Sequence, residues 1–177
     1  PDQHWVEEMR GDSPRDAAHI QQKYIAEGLR ARGHSITWAA PQELDRVCVS
    51  DSKETKPAPR TWSASRWFEL LSKAAWKIQQ LLRIPYLNYF SNLRRYDACL
   101  QTLPGHDVVF ERNSLYNAGA TMACKKLGLP YVIFFDADQI AELDFMGRPL
   151  KGLLRWRASS LLRYNLSVAR RVICVSN

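Results

Sequence analysis

The stretch DVVFERNSLYNAGATMACKKLGLPYVIFFDAD, residues 107–138, decides the fold. It opens with a short apolar run over 107–111 and closes with a second, β-branched and aromatic, over 131–135, so both have strand length and strand composition. Residues 115–127 between them have helical spacing and stop at Gly128, with Pro130 just beyond, which is how helices end. A strand, a helix and a strand joined in this way make two parallel strands, because a crossover of a dozen or more residues brings the chain back in the same direction.

The pattern continues downstream. Residues 136–149 read as a loop carrying Asp136, Asp138, Glu142 and Asp144. Residues 150–170 read as a helix with the stripe Leu150, Leu153, Leu154, Ala158, Leu161, Leu162, Leu166 and Ala169, and residues 172–175 as a closing strand. Upstream, Ser13 and Pro14 suit a helix start, the helix runs to about Arg32 with Ala18, Tyr24 or Ile25, Ala26 and Leu29 inward, and Gly33 caps it. A strand over 36–40, stopped by Pro41, completes what reads as the second half of a strand-helix-strand unit, and residues 46–49 form another short strand. The polar segment SDSKETKPAPR, 50–60, reads as a loop. A helix over 65–84 gathers Trp67, Leu70, Leu71, Ala74, Ile78, Leu81 and Leu82 on one third of its circumference, which predicts a core-facing stripe with Trp76 opposite, beside Arg83. Residues 86–103 form a further helix ended by Pro104-Gly105. Alternating strands and helices imply α/β architecture: a doubly wound, mostly parallel, Rossmann-like sheet with helices on both faces.

Composition narrows the function. The 177 residues, 46% hydrophobic and 24% charged, suffice for one buried core and exclude wholesale disorder. No run of about 18 apolar residues predicts a membrane-spanning helix, and the opening residues do not have the basic start, apolar run and small-residue cleavage site expected of a secretory pattern. The net charge of +7 is local: all 18 acidic residues precede Arg148, while Arg148, Lys151, Arg155, Arg157, Arg163, Arg170 and Arg171 follow without one. Such a patch suits an anionic membrane surface, nucleic acid or a phosphorylated substrate; nucleic acid is disfavoured, because no aromatic-rich sheet face or recognition-helix motif accompanies it. Cys48, Cys99, Cys124 and Cys174 have no metal or redox spacing and are expected reduced and buried in a cytoplasmic protein. His4, His19, His34 and His106 are dispersed and form no readable catalytic arrangement.

Three stretches resemble one family. They are Gly11-Asp12-Ser13-Pro14 with the helix end Leu29-Arg30-Ala31-Arg32-Gly33-His34-Ser35-Ile36-Thr37; Asp107 to Tyr116 with Lys126-Leu127-Gly128-Leu129-Pro130-Tyr131-Val132-Ile133; and Val168-Ala169-Arg170-Arg171-Val172-Ile173-Cys174-Val175-Ser176. Together they are similar to the N-terminal half of family 4-like glycosyltransferases of the GT-B fold. The resemblance covers residues 11–40 and 106–177; residues 41–105 carry no match to it. It implies a retaining hexosyltransferase of carbohydrate biosynthesis, with a nucleotide-sugar as co-substrate, no resident cofactor and no metal. It also implies two facing Rossmann-like domains, of which residues 1–177 would be the acceptor-side one. The start at Pro1 and the stop just after a strand read as truncation at both ends, the donor-binding C-terminal domain being absent, so that this chain alone is expected to be inactive. Location is expected to be cytoplasmic, with peripheral attachment to the inner face of a membrane as a variant. A non-catalytic Rossmann-like module that docks on a membrane or partner protein through its basic last helix is the alternative.

Candidate residues follow, each with two readings. Gly11, Asp12 and Ser13 precede a helix N-terminus, which attracts phosphate or is simply capped. Glu111 and Arg112 end a strand where substrates collect, and Arg112 either holds a substrate or pairs with Asp136 or Asp138. Asp136 and Asp138 either orient an acceptor hydroxyl and act as its base, as catalytic residues, or belong to a solvated loop. Many members of the family have His or Asn where Asp136 stands. Trp76, Arg155, Trp156 and Arg157 have the aromatic-basic composition of a membrane contact, or of a surface covered by another domain or a partner.

Overall fold

The structure, a computed structural model, describes residues 17–41, 47–50, 55–83, 87 and 89–174. The chain is mixed α/β. It divides into two compact units, Pro1–Pro59 and Arg60–Asn177.

In the first unit α1, Ala17–Ala31, buries Ala26 and half-buries Ile25 and Leu29, while Tyr24 is exposed. Gly33 closes the helix at φ +86°, its N–H donating to the Arg30 carbonyl at 2.9 Å. The strands β1 (Trp38–Pro41), β2 (Val47–Ser50) and β3 (Thr55–Pro57) then form an antiparallel sheet in the order β1-β2-β3. This corrects two expectations. The strand after α1 joins a separate antiparallel sheet, with Ala40 opposite Cys48 in register. The supposed loop 50–60 contributes β3, with Cys48 opposite Pro57. Its lysine and prolines pointed to a loop, but an edge strand tolerates both, since one of its sides needs no partner.

The second unit starts with a 3-10 turn, Trp62–Ala64, and α2, Arg66–Leu81. Both are anchored on Asp97 and Arg94 of α3, Tyr89–Thr102. The fully buried Asp97 carboxylate accepts Thr61 N–H and Ser63 N–H at 2.9 Å each and the Thr61 hydroxyl at 2.6 Å. Arg94 donates to Glu69 at 3.1 Å and Ser72 at 2.8 Å and lies over the Phe68 ring, 5.4 Å from its centroid. The Ser65 hydroxyl caps α2 by accepting the Phe68 N–H at 3.3 Å. The stripe expected to face the core does not: Phe68 is the buried residue of α2, whereas Trp67, Leu70, Leu71, Ile78, Leu81 and Leu82 are exposed.

The region read first is a parallel sheet. β4 (Val109–Arg112), β5 (Tyr131–Phe135) and β6 (Arg171–Cys174) lie in the order β4-β5-β6. They are linked by α4 (Gly119–Leu127), and by α5 (Gln139–Phe145) with α6 (Gly152–Val168). Tyr131 and Ile133 of β5 pack in one cluster with Cys124 of α4, Val168 of α6 and Ala169, so both crossover helices cover the same face. Gly128 caps α4 in the left-handed region at φ +68°. α5 was read as part of a loop; its start is set by Asp138, whose Oδ1 accepts the N–H of Ile140 at 3.0 Å and of Ala141 at 3.2 Å. β6 is exposed along its length, Cys174 included, against the expectation of four buried thiols; Cys48, Cys99 and Cys124 are buried, and all four are free.

Candidate functional site

Parallel strands leave a sheet at the same end, so the side chains that follow β4 and β5 meet there. Arg112, last in β4, stands opposite Phe134 in register, and Asp136 follows β5 two residues later, on the same side of the pleat. The guanidinium therefore reaches the carboxylate. Arg112 Nε donates to Asp136 Oδ2 at 2.8 Å, and Nη2 donates to the same oxygen. Of the two readings of Arg112, the ion pair with Asp136 is the one observed. Because both bonds fall on Oδ2, Asp136 Oδ1 is left buried with no hydrogen-bond partner among the described residues. An acceptor held out of water without a donor is costly, and a bound water or another donor would relieve it.

Its neighbours take different places. Asp138 is exposed, and one of its oxygens is the cap of α5. Glu111 points to the other face of β4, toward α4, where it accepts the Tyr131 hydroxyl and Asn117 Nδ2 at 2.7 Å each. Burial raises the Glu111 carboxyl above the usual range, against the pull of the Tyr131 hydrogen bond and the Arg95 charge. Glu111 thus shares a strand with Arg112 but not a surface.

The loop 113–118 builds the rest of the rim. Asn113 N–H donates to the Phe134 carbonyl at 2.8 Å and extends the ladder by one bond. Asn92 of α3 brackets the loop: its Nδ2 donates to the Tyr116 carbonyl at 2.7 Å, and its Oδ1 accepts the Ala118 N–H at 2.8 Å. Asn165 of α6 donates to the Asn117 carbonyl at 2.7 Å. Tyr116 is held at φ +62°, a region costing a non-glycine residue about 1 kcal/mol or more. Its hydroxyl, Asn117 Oδ1, Gln139 Oε1 and Asn165 Oδ1 are buried without hydrogen-bond partners among the described residues. Tyr116, Asn117 and Gln139, with Ile140, Ala158 and Leu161, line a cavity of about 10 Å³, room for one water. A larger open groove of about 400 Å³, lined by Lys125, Gly128, Tyr131 and Arg170, lies at the opposite, amino ends of β5 and β6. The smaller cavity lies at the carboxyl ends, where ligands of open α/β sheets gather.

Asn92, Tyr116, Asn117 and Asn165 were not singled out in the sequence. Asn165 had a signal: it falls three and four residues after Leu162 and Leu161, on the inward stripe of a helix, where an amide needs a buried partner. Gly11, Asp12 and Ser13 lie outside the described residues. Of the proposed membrane-contact residues, Trp76 and Trp156 are exposed, Arg157 is half-buried, and Arg155 pairs with Asp144 of α5 through both carboxylate oxygens at 2.9 Å. Among the described residues no group of three or more His, Cys, Asp or Glu side chains is placed to hold a metal ion, and no helix is long and apolar enough to cross a membrane. No protein-family model, no curated protein and no solved structure matches this chain.

Proposed function

We propose that the chain is the acceptor-side part of a GT-B glycosyltransferase, a doubly wound Rossmann-like domain that presents a saccharide or lipid hydroxyl to a nucleotide-sugar. The supporting observation is Asp136, placed at the carboxyl end of β5, fixed through one oxygen by Arg112 and left with the other oxygen unpartnered. In this reading the Asp136 side chain turns its buried Oδ1 outward on substrate binding, and the attacking hydroxyl donates its hydrogen bond to it, which directs the oxygen lone pair toward the donor. Arg112 keeps the carboxylate plane in place, and Asp138 acts through the cap that seats α5 beside it. The hydroxyl oxygen forms the new glycosidic bond as the bond from the anomeric carbon to the nucleoside diphosphate breaks, and the hydroxyl proton passes by way of Asp136 to the departing diphosphate. The donor would be held by a second domain.

The test uses the chain itself with methyl glycosides of glucose, mannose, galactose and N-acetylglucosamine, followed by saturation-transfer NMR. At least one should bind. Asp136→Ala should weaken it about tenfold or more, the worth of a hydrogen bond to a charged group, with circular dichroism unchanged. Binding to none of the four, or equal binding by the variant, would overturn the proposal.

A further inference from the structure

The helix α2 is built inside out for a core element. Successive helical residues turn by about 100°, which places Leu70, Leu81, Ala74, Trp67, Ile78 and Leu71 on one arc roughly 100° wide. That arc faces out: its five large side chains are 54–82% exposed. The inward side is made of Phe68, Glu69, Ser72, Ala75 and Gln79, mostly small or polar, and it is held by the contacts of Arg94 and the edge-on packing of Phe68 against Phe90, 5.4 Å between centroids. Charge is sorted as well. Arg66, Lys73 and Lys77 border one side of the apolar arc and are exposed. The one acid of the helix, Glu69, is turned away and paired with Arg94 and with Arg60, the latter at 3.6 Å.

We propose that the outward face of α2 docks on an anionic phospholipid membrane, with Trp67, Leu70, Leu71, Ile78 and Leu81 inserted at the headgroup boundary and Arg66, Lys73 and Lys77 at headgroup level. The charge pattern selects this occupant. A lipid surface offers apolar chains for the arc and negative headgroups for its basic border. A second copy of α2 would bring three more cations to the contact and no exposed acid to pair with them. The proposal departs from the sequence expectation, which put the contact on the basic last helix, where Arg155 is already engaged by Asp144. It does not rest on the glycosyl-transfer reading, and a soluble saccharide assay and a vesicle assay fail independently.

The experiment is sedimentation of the full chain with phosphatidylcholine vesicles, with and without phosphatidylglycerol, together with sedimentation velocity in the absence of lipid. The chain should pellet with the anionic vesicles only. Leu71→Glu with Leu81→Glu, both at exposed positions, should lower binding at least tenfold with circular dichroism unchanged. Lys73→Gln and Lys77→Gln should each weaken it roughly fivefold. Binding to neither vesicle, or equally to both, would overturn the proposal. So would binding that survives the leucine pair but is lost in Arg155→Gln with Arg157→Gln. A lipid-free dimer that the leucine pair disperses, without vesicle binding, would assign the face to self-association instead.

Discussion

Two aspartates do opposite things with their oxygens. Asp97 uses both, receiving three hydrogen bonds at 2.6–2.9 Å from the turn that precedes α2. Burial pushes its carboxyl up, yet the hydrogen bonds from Ser63 and Thr61 outweigh burial and hold it below the usual range. A lowered folded value means that the ionised form stabilises the fold above about pH 4, and that this contribution fades as pH falls through the lowered value. Urea denaturation at a series of pH values should therefore show an acid limb that Asp97→Asn flattens. Asp97→Ala, which strands three donors, should cost about 3 kcal/mol at neutral pH. Asp136 gives one oxygen to Arg112, and its other oxygen has no protein partner among the described residues.

At the scale of elements, α3 and α4 meet at Gly119. A Cβ there would stand 2.5 Å from the Arg95 Cβ and 2.9 Å from the Asn92 carbonyl oxygen, so backbone must move to admit it. Gly119→Ala should destabilise by about 2–3 kcal/mol in thermal or urea unfolding, despite the better helix propensity of alanine. Since Asn92 brackets the loop 113–118, the shift should reach the rim as well. β4, α4, β5, α6 and β6 were readable because the strands are short apolar runs separated by helices with clear stops, as at Gly128, whereas α5 was not, its start depending on the Asp138 cap. The pairing of Arg112 with Asp136 was readable too, because parallel strands deliver their ends together. The periodicity of α2 defined its two faces but not the neighbour, and a face of Ser72, Ala75 and Gln79 proved to be the inner one. β3 was hidden by Lys56 and Pro57, residues that an edge position accepts. The bracket formed by Asn92 and Asn165 depends on side chains reaching across the fold, which no local pattern records.

At the scale of the molecule, residues 60–177 contain the parallel sheet, its crossover helices, the Asp97 anchor and the Arg112–Asp136 pair. A polypeptide of residues 60–177 should fold without the first unit, with a cooperative thermal transition and dispersed amide NMR signals; a broad, non-cooperative melt would refute this. The loop between β4 and α4 is clamped from two helices, one on either side of it in the chain: by Asn92 at Tyr116 and Ala118, and by Asn165 at Asn117. A left-handed tyrosine secured in this way has surrendered its backbone freedom during folding. Whatever lands on that rim meets a template already set in shape, and its association is spared the entropic penalty of organising the receptor.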